Sequence, residues 1–194
     1  PDDPERTPRV SREHAQAQID EYPLGCKDPW VQAYVLGEFP DAAINQLLTW
    51  DDVTESFARA PRADSYDWSP VVLGVDVARE GLDRSCIIRR QGITVFAPLI
   101  LSRVPATDGA ARVAREFDAH HGNAMFLDDT GGFGGDWILK LREWGYKPQG
   151  VCFGAGATDA RYANKRAEMW MEMAKWVRTG GALPEIPGLI DELT

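Results

Sequence analysis

Cysteine, histidine and positive charge are scarce in this sequence of 194 residues. Its three cysteines, Cys26, Cys86 and Cys152, are far apart and show no CxxC spacing, so any disulfide scheme leaves one thiol unpaired. A reducing compartment is the simpler interpretation. Asp and Glu (30) outnumber Lys and Arg (21), and the net charge is −9. That balance disfavours a chain that coats nucleic acid by bulk electrostatics, but it leaves open a local basic groove or metal ions that bridge acids to phosphate.

Long apolar runs are also absent. The stretch from Ile93 to Leu101 is among the longest, and it is well short of a membrane span. No charged and then apolar leader opens the chain. The hydrophobic content of 44% is enough for one full domain with an appendage. We therefore expect a soluble, globular protein with no membrane partner.

The character of the chain changes near residue 70. Residues 1–68 are rich in proline and charge and predict only short helices: one from about Ser11 to Glu21, one within DPWVQAYVLGEFPD before an extended tail, and one after Thr49 as N-cap. Because this part has too few strands for a sheet of its own, we expect it to be a linker or packing arm. Residues 69–194 are denser in apolar segments and predict one domain in the order β-β-β-α-β-α-β-α.

The predicted strands have distinct patterns. The segment VVLGVDVA, from Val71 to Ala78, is a nearly continuous apolar strand of the kind that is buried on both faces. Two further strands, SCIIRR and ITVFAPLIL, are joined only by Gln91 and Gly92, which favours antiparallel pairing. AMFLDD and PQGVCFG predict two more strands, each preceded by a helix. The predicted fold class is α/β, with a mixed five-stranded sheet flanked by helices.

Acidic side chains lie in two of these strands. Asp76 interrupts the first strand, and Asp128 and Asp129 end the fourth. If the two strands are parallel neighbours, their carboxyl ends bring the acids together where open α/β folds bind ligands. Carboxylates this close repel each other unless a cation neutralises them, and a set of oxygen ligands favours Mg²⁺ or Mn²⁺. Two such ions roughly 4 Å apart form a site for phosphodiester hydrolysis.

Other marked residues have structural alternatives. Adjacent residues on a strand point to opposite faces, so Asp129 is as readily a solvated neighbour as a ligand. The glycines of TGGFGG favour a tight strand-to-helix turn over a phosphate cradle. Lys165 and Arg166 are candidate contacts to a DNA backbone, although basic residues on a helix surface are usually solvated. The stripe that predicts a core face on the same helix consists of Met169, Trp170, Met173 and Trp176.

This arrangement resembles the RNase H-like fold, and more narrowly the C-terminal nuclease domain of the large terminase subunit of tailed bacteriophages. WVQAYVLGEFP is similar to the segment that leads into that domain, and VVLGVDVAREGLDRS to its first strand with the metal-binding acid. MFLDDTGGFGGDWILKLREWG is similar to its second acidic strand and glycine turn, and VCFGAGATDARYANKRAEMWMEMAKWVRTGGALP to the segment after it. The resemblance covers about residues 25 to 194.

The resemblance implies a metal-dependent endonuclease that cuts concatemeric double-stranded DNA during genome packaging. Asp76 would bridge two Mg²⁺ or Mn²⁺ ions, Asp128 would bind one of them, and Asp129 would be a further metal ligand. Asp83 is a candidate supporting residue. The cut would leave a 3′-hydroxyl and a 5′-phosphate. The implied partners are double-stranded DNA, an ATPase motor domain, the portal protein and the small terminase subunit, at the procapsid portal in the host cytoplasm.

Two features depart from the family pattern. The phosphate loop of an ATPase motor, GxxxxGK[ST], does not occur, so we expect a nuclease-domain fragment with part of the interdomain linker. The family also takes an acid from a later helix, in a short Asp-rich motif that Asp191 and Glu192 do not match. We expect this third ligand downstream of Thr194.

Two other functions stay open. GVDVAREGLDRS alone also fits the phosphate-binding strand and turn of actin-like ATPases and sugar kinases, although these need a duplicated domain and a second phosphate loop. The other alternative is a non-catalytic docking module of a packaging assembly. Such a module would tolerate loss of Asp76, whereas a nuclease would not.

Overall fold

The structure is a computed structural model and describes residues 12–22, 24–28, 31–37, 47–78 and 84–194. The chain divides into two compact units between Thr49 and Trp50. In the first unit, helix α1 (Arg12–Asp20) agrees with the predicted helix and packs with a 3₁₀ turn (Gly25–Lys27) and a π-helical segment (Val31–Leu36). None of the helices in the described ranges has both the length and the hydropathy of a membrane span.

The second unit contains the sheet. In chain order its elements are α2 (Trp50–Ala58), β1 (Val71–Asp76), β2 (Arg84–Gln91), β3 (Thr94–Val95), β4 (Leu99–Ser102), α3 (Ala106–Ala119), β5 (Ala124–Asp128), α4 (Gly135–Glu143), β6 (Gln149–Val151), α5 (Lys165–Arg178) and α6 (Leu189–Leu193). The strand order is β3-β2-β1-β5-β6, with β4 also paired to β2. β1 is antiparallel to β2 and parallel to β5, and β5 is parallel to β6. The predicted α/β class and the parallel pairing of the first and fourth predicted strands are confirmed.

The third predicted strand, ITVFAPLIL, is two short strands in the structure. Arg90 pairs with Val95 and Ile87 with Leu99, so the partner of β2 carries one extra residue between these two pairs. Pro98 lies within that interval and has no N–H to donate to the ladder. The sheet therefore has six strands, not the five that were predicted.

The core lies on one face of the sheet, under α3 and α4. The strand residues that form its centre are Leu73, Val75, Met125 and Leu127, each at most 5% exposed. The other face of β1 carries Val72, Gly74 and Asp76, and Phe126 on β5 is 36% exposed there. Burial of β1 is complete on one face only, so the prediction of burial on both faces was wrong.

Helix α2 is held against the end of α5 by buried polar contacts. The Ser56 hydroxyl donates to the carbonyl of Gly181 at 2.7 Å and accepts from the Leu183 amide at 3.1 Å. Arg59 donates to the carbonyls of Val177 and Gly181. These contacts place α2 in the same unit as the sheet, while the predicted domain boundary after residue 68 and the roles of the two parts stay predictions.

The sequence predicts a long amphipathic helix over RYANKRAEMWMEMAKWVRTGG, and α5 lies within it. The helix begins after Arg161, at Lys165, because Asn164 is the N-cap and accepts from the Ala167 amide at 2.9 Å. Its buried residues are Ala174 and Val177. Met169 and Trp170 are 41% and 45% exposed, so the predicted core stripe is wrong for the amino-terminal half of the helix. The apolar spacing identified the correct helix but not the length over which neighbours cover it.

Candidate functional site

The two predicted acids meet at the carboxyl ends of β1 and β5. The last register pair of these parallel strands is Val75 with Leu127, and Asp76 and Asp128 are the next residue on each strand. Because side chains alternate along a strand, both carboxylates lie on the face opposite the core. The prediction that the sheet brings Asp76 and Asp128 together is confirmed.

The electrostatics of the pair favour a cation. The pKa of Asp76 is raised, first because protein partly surrounds its carboxyl group and second because of the negative charge of Asp128. This holds although Asp76 as a whole residue is exposed to solvent. Both causes disfavour the charged form of Asp76, and a divalent ion between the strand ends would offset both.

A tight turn fixes Asp128. The amide of Thr130 donates to Asp128 Oδ1 at 2.8 Å, the bond of an Asx turn. Gly131 follows with a φ of 71°, a conformation that side chains other than glycine rarely adopt. A Cβ on Gly134 would lie 2.3 Å from the carbonyl oxygen of Asp128, so the turn also needs glycine for close approach. The TGGFGG segment is therefore the predicted strand-to-helix turn.

Asp129 lies away from this pair. Its amide donates to the carbonyl of Val151 on β6 at 2.9 Å. A Cβ built on Gly150 would lie 3.4 Å from Asp129 Oδ2 and 3.1 Å from Ile138, a core residue of α4. The Asp129 carboxylate thus faces α4 and β6, and its Oδ1 is buried with no hydrogen-bond partner among the residues that the structure describes. The structure does not bring Asp129 to the face that carries Asp76 and Asp128.

The described residues add few candidate metal ligands near Asp76 and Asp128. Within the described ranges, no group of three or more His, Cys, Asp or Glu side chains is placed to hold a metal ion. Asp83, the predicted supporting residue, lies outside the described residues. Cys86 is the register partner of Asp76 on β2, and burial together with the charge of Asp76 raises the pKa of its thiol. Sequence reasoning missed this neighbour because only the strand register reveals it.

The two predicted DNA contacts differ in their surroundings. Lys165 forms an ion pair with Glu168 and donates to the Thr158 hydroxyl at 2.6 Å. Arg166 is exposed, and its guanidinium carbon lies 5.5 Å from the centre of the Phe153 ring. The amide of Phe153 donates to the hydroxyl of Thr130 at 3.0 Å, so this region adjoins the turn that fixes Asp128.

No protein-family model and no curated protein matches the chain. Similar solved structures are nucleases of large terminases from two bacterial viruses. The magnesium-bound nuclease from thermophilic phage G20c is 15% identical over 78% of this chain and 80% of its own, with a TM-score of 0.54. In another structure of that nuclease, the match is 14% identical over 66% of this chain, with a TM-score of 0.53, and this chain spans only 64% of its length.

The nuclease domain of the large terminase subunit of bacterial virus Sf6 is 18% identical over 70% of this chain and 67% of its own, with a TM-score of 0.52. At such identities the likeness shows the fold. The chain has the RNase H-like fold of terminase nuclease domains, as the sequence predicted.

Proposed function

We propose, from the fold shared with terminase nucleases, that this chain is a metal-dependent endonuclease domain of a viral DNA-packaging terminase, which cuts concatemeric double-stranded DNA. The observation that carries the proposal is that Asp76 and Asp128 lie close together at the carboxyl ends of adjacent parallel strands. In an open α/β sheet this edge is where ligands bind.

The side chains present fit a hard divalent cation. Two carboxylates offer oxygen donors only, and the negative charge of Asp128 disfavours the charged form of Asp76. We propose two ions, Mg²⁺ or Mn²⁺, held by Asp76 and Asp128. Structures of the G20c nuclease carry magnesium, cobalt or zinc, and those of the Sf6 domain carry manganese or calcium, which supports divalent metal use by this fold.

The chain's own residues then have distinct tasks. Asp76 and Asp128 bind the ions, and Thr130 keeps the Asp128 carboxylate oriented through its amide. When bound, such ions activate water and stabilise the leaving oxygen of a phosphodiester. The exposed position of Asp76 leaves its carboxylate open to a duplex from solvent. A ligand role for Asp129 would require its carboxylate to turn away from Gly150 and α4, so the proposal rests on the other two acids.

The wider setting is part of the same proposal. A terminase nuclease would act with an ATPase motor domain, the portal protein and the small terminase subunit, at the procapsid in the host cell. A second candidate is a non-catalytic docking module of that assembly. It is favoured by one observation, that no third His, Cys, Asp or Glu side chain joins Asp76 and Asp128 to form a metal site among the described residues.

Cleavage of supercoiled plasmid tests the proposal. We expect nicking or linearisation that needs Mg²⁺ or Mn²⁺ and that Asp76→Asn and Asp128→Asn both abolish. Asp67→Asn is the matched control, because Asp67 is an exposed acid that precedes β1 at the opposite end of the strand. Absence of metal-dependent cutting by the folded, unsubstituted chain would favour the docking module, and cutting that survives loss of both acids would exclude the proposed site.

A further inference from the structure

The loop between β6 and α5, residues 152–164, is anchored to the candidate site. The amide of Phe153 donates to Thr130 Oγ1 at 3.0 Å, and the amide of Thr130 donates to Asp128 Oδ1 at 2.8 Å. Two hydrogen bonds therefore connect the start of this loop to a proposed metal ligand. At the other end of the loop, the amide of Arg166 donates to the carbonyl of Phe153 at 3.1 Å, which brings the first turn of α5 back to the same point.

Two of the three cations in this region are already matched by carboxylates. Arg161 donates to both oxygens of Asp159 at 2.6 to 3.1 Å, and these bonds lower the pKa of Asp159 to about 2. Lys165 pairs with Glu168, and this bond is the largest cause of the lowered pKa of Glu168. Glu168 also accepts from the amide of Thr158 at 3.0 Å, so this ion pair holds the loop to α5.

Arg166 is the third cation and has a different environment. It is exposed, its guanidinium carbon lies 5.5 Å from the centre of the Phe153 ring, within cation–π range, and no carboxylate of the described residues pairs with it. A guanidinium that stacks on an aromatic face keeps its N–H groups available for an anion. Arg166 is therefore an exposed cation whose backbone is hydrogen-bonded to Phe153, the residue that also donates to the turn after Asp128.

We propose that Arg166, supported by Phe153, binds a backbone phosphate of duplex DNA next to the Asp76 and Asp128 site. This inference rests on the proposed nuclease function and names a contact to its substrate. A phosphate takes two parallel N–H bonds from a guanidinium, a geometry that Arg provides and Lys does not. Lys165, the other basic residue predicted to contact DNA, instead has the structural task of holding the loop through Glu168.

The salt dependence of duplex binding tests this contact independently of cleavage. The chain carrying Asp76→Asn, and the same chain with Arg166→Gln, Arg166→Lys or Lys175→Gln added, are titrated with a fluorescent duplex at several NaCl concentrations without divalent ions. Each phosphate contact contributes about 0.9 to the slope of log K against log salt. We expect Arg166→Gln to reduce the slope by about 0.9 and Arg166→Lys to retain it, since a lysine still neutralises the phosphate.

Lys175→Gln is matched in charge, because Lys175 is exposed on the same helix near its other end. We expect it to leave the slope unchanged. An unchanged slope for Arg166→Gln, an equal loss for Lys175→Gln, or no salt-dependent binding by the parent chain would each overturn the inference. Metal-dependent plasmid cleavage by the unsubstituted chain decides the proposed function separately, so the two failures are distinguishable.

Discussion

Replacing Asp76 with asparagine should stabilise the metal-free protein at neutral pH. The substitution keeps the size of the side chain and removes one of two charges at the ends of β1 and β5. Neighbouring strands lie about 4.8 Å apart, where two unit charges repel by ~0.9 kcal/mol in water and by ~3.5 kcal/mol at an effective dielectric constant of 20. Because Asp76 is exposed, screening favours the lower value. We expect a gain of about 1 kcal/mol, or about 2–4 °C in Tm.

The pH dependence of Tm tests whether Asp76→Asn stabilises the protein for the proposed reason. The pKa of Asp76 is higher in the folded state than its ordinary value of 3.8, so protonation of Asp76 favours folding. Its destabilising effect is fully present above the folded-state pKa and disappears as the pH falls below 3.8. The difference in Tm between Asp76→Asn and the unsubstituted chain should therefore shrink as the solution is acidified.

Metal ions should reverse the order of stability. An ion that binds only the folded chain adds about 2.7 kcal/mol at a concentration 100 times its Kd. Thermal unfolding followed by circular dichroism, in EDTA and then with Mn²⁺, should show a rise in Tm for the unsubstituted chain and for Asp67→Asn, and little for Asp76→Asn. If Asp76→Asn lowers the Tm in EDTA at neutral pH, the explanation by carboxylate repulsion is refuted.

Substitutions at Thr130, Asp129 and Asp128 test the proposed metal ligand and its surroundings. Thr130→Val removes the hydroxyl that accepts from the Phe153 amide, so we expect thermal denaturation to show a loss of about 1 kcal/mol of unfolding free energy. Thr130→Ser keeps a hydroxyl and should cost much less. Equal losses for the two substitutions would contradict the role of the hydroxyl. Asp129→Asn should leave Mn²⁺ affinity within about twofold by calorimetry, while Asp128→Asn should weaken it by about tenfold or more. An equal loss for Asp129→Asn would make it a ligand. The free energy of unfolding of the Asp129→Asn chain, measured by thermal denaturation, should be lower by about 0.5–1 kcal/mol. The reason is that the substitution removes a negative charge at the amino terminus of α4.

Local sequence patterns predicted the order of strands and helices because each element carried its own signal. The apolar VVLGVDVA segment and the glycine turn after Asp128 appear where propensity and spacing placed them. The meeting of Asp76 with Asp128 followed from topology, since both residues end parallel strands that the connections make neighbours. The strand and the turn depend on residues close in sequence, whereas the meeting of the two acids depends on the strand topology.

Features that depend on tertiary contacts were not predictable in the same way. Alternation placed Asp129 on the face opposite Asp128, but only the contacts with Gly150 and α4 show that its carboxylate is enclosed there. The exposure of Trp170 had no signal in the apolar spacing, because spacing shows which side of a helix is apolar and not whether another element covers it. The pairing of Lys165 with Glu168 was available at a spacing of three residues, and it distinguishes Lys165 from Arg166.

Because side chains alternate between the two faces of β1, one residue of this strand stabilises the core while the next carries the proposed metal ligand. Val75 is 5% exposed and packs in the core, while Asp76 lies on the other face with Asp128. A repulsion of about 1 kcal/mol between the acids is small beside a typical stability of about 5–15 kcal/mol, so the fold tolerates it without an ion. Since a bound cation relieves that repulsion, the same free energy that destabilises the empty site strengthens metal binding. An acid in a core strand is thus compatible with folding because its side chain faces away from the core and its repulsion by Asp128 is small beside the stability of a domain.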